Sequence, residues 1–136
     1  MEKRLVVTIN DFKRLNGLMQ LSQLKSKTPL IVEKLINGLK NARMFPQDKV
    51  SKNIVTMNSR VLLTEMSSGR QTEITISYPD DADNFERRVS VLSPIGVALL
   101  GRSQGDTTSW LIPGGWGEFK IEKVTYQPEA AGDYYL

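Results

Sequence analysis

Histidine and cysteine are both absent from this 136-residue sequence. Without cysteine there are no disulfides and no thiolate metal sites. Without histidine, the usual general acid–base group at neutral pH and the commonest zinc and iron ligand are missing. Catalysis would fall to carboxylates, lysine, tyrosine or serine working without imidazole, so the composition points away from an enzyme. Long hydrophobic runs are missing too. The longest reach about four or five residues, far short of the roughly 18 that suggest a membrane span. The opening MEKRLVVTIN holds no apolar stretch of signal-peptide length, so a cytoplasmic protein with no membrane partner is expected. Charge of one sign does not dominate either: 18 basic and 15 acidic residues leave a net +3, too mild to argue for nucleic acid by itself.

What is present is the composition of a globular domain, 40% apolar and 24% charged, with enough length to bury a core unaided. The first part of the chain reads as helical. After an extended lead-in over residues 1–9, Asn10 or Asp11 can cap a helix over about 11–25, with Phe12, Leu15, Leu18, Met19, Leu21 and Leu24 at helical spacing. SKTP breaks it. Thr28 then caps, and Pro29 opens, a second helix ending near Arg43, with a stripe of Ile31, Leu35, Leu39 and Ala42 widened by Val32 and Ile36. Two helices joined so closely should run antiparallel. Gly17 and Gly38 lie almost symmetrically about the connection and are expected to permit close helix approach.

From about residue 54 the hydrophobic period shortens to two. SRVLLTE, TEITISY (Ile74, Ile76 and Tyr78 on one face), RRVSVL, TTSWLI and EFKIEKVTYQ read as strands. PGGWG is the turn between the last two. Phe119 and Ile121 are out of phase with Val124 and Tyr126, which predicts a bulge near Glu122–Lys123. Between strands, Ser93 caps and Pro94 opens a short helix, with Ile95, Leu99 and Leu100 on one face and Gly101 as its stop. The class is α+β: two helices, then a mostly antiparallel sheet crossed by one short helix.

Four stretches carry a resemblance across the whole chain: VTMNSRV (55–61), SVLSPIGVALLG (90–101), LIPGG (111–115) and YQPEAAGDYYL (126–136). Together they resemble the regulator of nucleoside diphosphate kinase family, a branch of the Gre (GreA/GreB) transcription-factor superfamily. The resemblance implies a short N-terminal antiparallel helical hairpin (residues 1–45) and a C-terminal FKBP-like domain (46–136). It also implies RNA polymerase as partner, since Gre factors dock with the C-terminal domain beside the secondary channel and send the hairpin down it. The Ser-Pro element of their docking surface matches Ser93 and Pro94, flanked by Leu92 and Ile95. Gre factors usually carry an acidic or polar residue where this chain has Leu92. As a plain structural element, the same Ser-Pro simply starts a helix.

Cleavage-stimulating Gre factors carry acidic residues at the hairpin tip, where carboxylates can hold a divalent cation. From Phe12 to Val32 this chain has no Asp or Glu; its turn carries Lys25, Ser26, Lys27 and Thr28. A helix of about 15 residues spans roughly 22 Å, shorter than the resemblance implies for a cleavage factor. The expected protein is therefore a monomeric, non-enzymatic polymerase-binding regulator. It needs no cofactor or metal, reads no nucleic-acid sequence, and competes with cleavage factors without cleaving. Regulation of a nucleotide-metabolising enzyme, or prolyl isomerisation by the FKBP-like domain, are the alternatives; with 7% aromatics the deep aromatic pocket an isomerase needs is not evident. Asp80, Asp81 and Asp83 lack EF-hand spacing and read as a solvated loop, and PGGWG lacks the Lys-Ser/Thr of a phosphate loop. Trp110 and Trp116 read as one core residue and one exposed edge residue. Tyr134 and Tyr135 read as an aromatic tail.

Overall fold

The computed structural model describes residues 4–20, 29–83, 85–134 and 136. The chain enters through a short strand, β1 (Val6–Thr8), that turns straight into helix α1 (Ile9–Met19). Thr8 is both the last strand residue and the helix cap. Its backbone is extended, and its hydroxyl accepts from the Asp11 N–H at 3.0 Å, satisfying one of the orphan donors of the first turn. The expected caps, Asn10 and Asp11, are already helical. Asp11, Leu15 and Met19 lie four residues apart on the buried line of α1.

Helix α2 (Pro29–Lys40) opens with proline at its first position, where the missing N–H has no cost. Its buried stripe is Val32, Leu35, Leu39 and, just beyond the helix, Ala42, while Ile31 and Ile36 sit at the half-buried margin. The helix stops at Lys40, and Arg43–Phe45 form a strand, β2, parallel to β1 with Val6 opposite Arg43 and Thr8 opposite Phe45. Neither strand was expected as part of a sheet, because three residues are too few to display alternation. The two glycines do not share a helix contact. A Cβ at Gly17 would meet nothing within 4 Å among the described residues, whereas one at Gly38 would come within 2.8 Å of Leu5 Cδ1. Gly38 makes room for the strand-leading segment, not for α1.

The larger sheet has five strands in the order β5-β4-β3-β7-β6: β3 (Arg60–Glu65), β4 (Gln71–Ser77), β5 (Arg88–Ser90), β6 (Thr107–Ile112) and β7 (Gly115–Tyr126). All neighbours are antiparallel except β4 and β5. The long strand β7 pairs with both β3 and β6. Its register against β3 steps from Lys123 opposite Leu62 to Ile121 opposite Leu63, so Glu122 is the extra residue of the expected bulge. The β6–β7 connection is tighter than the five residues of PGGWG. Ile112 faces Gly115, leaving Pro113 and Gly114 as the turn, with Gly114 at φ 97°.

Among the described residues, two short α-helices and a single 3-10 turn over Pro79–Asp81 complete the fold. The expected helix is α3 (Pro94–Leu99). The second, α4 (Pro128–Ala131), is formed by the C-terminal tail and ends at Gly132 in the left-handed region, φ 78°. Residues of α1 and α2 (Leu15, Leu35) share one core cluster with Val55, Met57, Val61, Ile76, Leu99 and Ile121. Each such fully buried aliphatic side chain contributes about 1.5–3 kcal/mol of burial free energy. The Asp80–Asp83 loop is exposed.

Candidate interaction surface

Between β5 and α3 the chain makes a turn held almost wholly by serine. The Ser93 hydroxyl donates to the Ser90 carbonyl at 2.7 Å and accepts from the Gly96 N–H at 3.0 Å; the Ser90 hydroxyl accepts from the Leu92 N–H at 3.0 Å. Ser93 is thus a helix cap and a lock on the preceding turn. Gly96 is required by close approach. A Cβ there would lie 2.3 Å from the Ser90 carbonyl oxygen and 2.8 Å from Val91 Cα, backbone atoms that cannot swing away. The rigid turn sets the four expected contact residues apart. Leu92 is only 8% exposed and belongs to the core, Ser93 and Ile95 are half-buried, and Pro94 is exposed. A partner can therefore touch Pro94 and Ile95, while Leu92 anchors the turn from beneath.

Ile95 also lines a groove of about 240 Å³ whose other walls include Leu63, Ile74, Trp110 and Phe119, with Glu65, Arg70 and Thr72 as its polar residues. Trp110 and Phe119 stack with ring centroids 3.9 Å apart and planes 4° from parallel. Gly117 leaves the space this needs, since its Cβ would fall 2.7 Å from the Phe119 ring. The low aromatic content therefore does not prevent an aromatic wall: Trp110 of β6 stacks on Phe119 of β7, a diagonal neighbour across the strand pair. Trp110 is in the core and Trp116 is 73% exposed, as the alternation of β6 and β7 predicts.

A second constellation joins three distant segments and was not apparent from spacing. Thr56 donates its hydroxyl proton to Glu129 Oε1 at 2.7 Å, and Ser59 Oγ lies 2.8 Å from the same hydroxyl oxygen. Since Thr56 has spent its one proton on the carboxylate, Ser59 is the donor to Thr56. Asn58 holds the turn at φ 67°, a conformation asparagine tolerates. The next N–H, of Met57, donates to Asp11 Oδ2 at 3.1 Å. Burial pushes the Asp11 carboxyl up to about 6; the Glu129 charge adds to this, while the Met57 N–H, Arg14 and the Thr8 hydroxyl oppose it. The Arg14 guanidinium sits 4.1 Å above the Tyr78 ring, and burial, above all, raises the Tyr78 phenol. The only advance signals were a Thr-x-Asn-Ser turn and a glutamate just after the proline of the tail. This cluster ties α1 and α4 to the sheet and is closed to solvent, which makes it structural.

Lys25, Ser26, Lys27 and Thr28 lie outside the described residues. Among the described residues no group of three or more carboxylates gathers as a metal site, and no helix is long and apolar enough to cross a membrane.

The family model for "Transcription elongation factor, GreA/GreB, C-term" matches residues 50–126. The chain is 38% identical over 107 residues to the "Regulator of nucleoside diphosphate kinase" of Escherichia coli (strain K12), covering 78% of this chain and 79% of that protein. It is 35% identical over 91 residues to a "Transcription elongation factor GreA" of Bacillus licheniformis, of which it covers 58%. Among solved structures, a "Prokaryotic transcription elongation factor GreA/GreB" from Nitrosomonas europaea aligns with a TM-score of 0.78 at 31% identity, over 92% of this chain and 100% of that one. The chain therefore belongs to the regulator of nucleoside diphosphate kinase family, within the GreA/GreB superfamily of transcription elongation factors.

Proposed function

We propose that this protein is a non-enzymatic regulator that binds RNA polymerase. In this reading, residues 46–136 are an FKBP-like docking domain and residues 1–45 a short antiparallel hairpin that enters the secondary channel. The observation that carries the reading is the locked Ser90–Gly96 turn. It holds Pro94 exposed and Ile95 at the edge of an apolar groove, a preorganised surface that needs little ordering to bind. Membership of the GreA/GreB superfamily supports polymerase as the partner.

The bound protein does not stimulate transcript cleavage. Residues 12–32 hold no carboxylate, and a cation in an active centre must be held by charged oxygen ligands. It excludes a cleavage factor from the shared docking site instead. The test is a binding assay with core polymerase in which a GreA-type cleavage factor is the competitor. Pro94→Asp should weaken binding at least tenfold, about 1.4 kcal/mol, while the circular dichroism spectrum stays unchanged. In a backtracked complex the wild-type chain should inhibit the cleavage factor, and excess cleavage factor should restore its full rate. Unchanged affinity in folded Pro94→Asp would move the interface elsewhere. Cleavage by the wild-type chain, or inhibition that excess factor cannot relieve, would overturn the reading.

The name of the 38%-identical relative favours a second partner, a nucleoside diphosphate kinase. Pull-downs against the kinase and against polymerase separate the two. The aromatic wall of the groove makes a prolyl-isomerase assay a worthwhile control.

A further inference from the structure

Helix α2, the segment leading into β1 and the residues Val97 and Arg102 enclose a cleft of about 560 Å³, within the size range of small-molecule sites. Its polar lining is Arg4, Lys34, Asn37, Lys40, Asn41 and Arg102: four cations, two amides and no carboxylate, in a chain that has 15 acidic residues to draw on. Two of the cations have a structural explanation. Lys40 lies in the last turn of α2, where the macrodipole favours a positive charge. Arg4 Nε donates to the Asn41 carbonyl at 2.9 Å, closing an orphan acceptor at the helix end.

Lys34 and Arg102 have no such explanation. Lys34 lies on the same face of α2 as Asn37, three residues on, and Asn41 follows just past the helix end. No carboxylate among the described residues lies within ion-pair distance of Lys34 or Arg102. Arg102 is half-buried in the lining of the cleft, and its Nε is sealed from solvent with no hydrogen-bond partner among the described residues. A buried guanidinium donor left unpaired is rare and calls for an acceptor. A planar guanidinium fork beside a flexible ammonium is the pairing that suits phosphate oxygens. Leu35 and Val97 supply an apolar wall beside the charges.

We propose that this cleft binds a small phosphorylated ligand of the size and charge of a nucleoside polyphosphate. Arg102 and Lys34 would hold the phosphates, and Arg4 and Lys40 would offset the negative end of α2. Free polyphosphate and a nucleotide share this chemistry, so both serve as probes.

The experiment is calorimetric titration of the full chain with sodium pyrophosphate, with adenosine triphosphate and with a single-stranded oligonucleotide, at two salt concentrations. Saturable one-to-one binding of pyrophosphate or adenosine triphosphate is expected, weakening as salt rises. Arg102→Gln and Lys34→Gln should each reduce affinity at least tenfold, and Lys120→Gln, on the sheet, should leave it unchanged. Lys34 is exposed, so its variant keeps the test decisive if Arg102→Gln folds poorly. A ligand-induced rise in melting temperature should be present in the wild type and smaller in Lys34→Gln at the same ligand concentration. No saturable binding of either phosphate at concentrations up to ~1 mM would overturn the proposal. So would equal loss in Lys120→Gln, or tighter binding of the oligonucleotide than of adenosine triphosphate, which would make the cleft a nucleic-acid surface.

Discussion

Alanine at position 96 should destabilise the protein by about 3 kcal/mol or more, the upper part of the range for overpacking a core. The added Cβ would sit 2.3 Å from the Ser90 carbonyl oxygen, 2.8 Å from Val91 Cα and 3.1 Å from the Ser90 carbonyl carbon. All three are backbone atoms. The Ser90 carbonyl also accepts the Ser93 hydroxyl, so moving it breaks the lock on the turn. The turn cannot shift as a body either, because Val91 and Leu92 on one side and Val97 to Leu100 on the other are buried. Helix propensity works the other way but recovers only about 1 kcal/mol for glycine to alanine. Urea denaturation should show a lower midpoint with an unchanged slope, and the proposed polymerase binding should fall with it because Pro94 and Ile95 ride on the same turn. A loss below about 1 kcal/mol would mean that the turn is far more compliant than its contacts imply.

Folding stability should fall by about 2–3 kcal/mol as the pH rises from about 4 to about 6, at about 1.4 kcal/mol per unit of pKa displacement. The group responsible is Asp11. In the folded protein burial raises its carboxyl to about 6 from 3.8, so between those values the native state holds a proton that the unfolded chain has released. Stability is therefore highest below the unfolded value, declines through the window, and levels off above about 6. Glu129 faces Asp11 and strengthens the effect, and Arg14 opposes it. Asp11→Asn should flatten the slope while keeping an acceptor for the Met57 N–H. Asp11→Ala should flatten it too, but at the further cost of about 1–3 kcal/mol for a buried donor left unpaired. Because other carboxylates titrate in the same range, the comparison is between denaturation curves of wild type and Asp11→Asn at matched pH. Parallel pH profiles would remove Asp11 as the cause.

The same residue illustrates where sequence reading stops. Asp11 looked like a helix cap because it stands ahead of an apolar stripe. In the fold Thr8 caps the helix and Asp11 turns inward to accept from Met57, forty-six residues away in the chain. Nothing local to TIND distinguishes the two roles. Gly38 shows the same limit: helical symmetry paired it with Gly17, whereas its neighbour is Leu5. The tail YQPEAAGDYYL was recognisable as a motif, yet its function as a clamp appears only when Glu129 meets Thr56 and Gln127 donates to the Ser51 and Ile54 carbonyls.

By itself the sequence determined the elements whose signal is local. These are the proline-opened helices α2 and α3, the strands with clean two-residue alternation, the bulge at Glu122 where that alternation slips, and the Ser-Pro turn. Each follows from steric and hydrogen-bonding preferences of residues a few positions apart, and such preferences act before the chain is folded. The tertiary structure alone decided the parallel pairing of β1 with β2, the burial of Leu92 beneath an exposed Pro94, the stacking of Trp110 on Phe119, and the gathering of Lys34 and Arg102 around one cleft. Those depend on contacts between residues far apart in the chain, whose free energy exists only after the loops between them have closed.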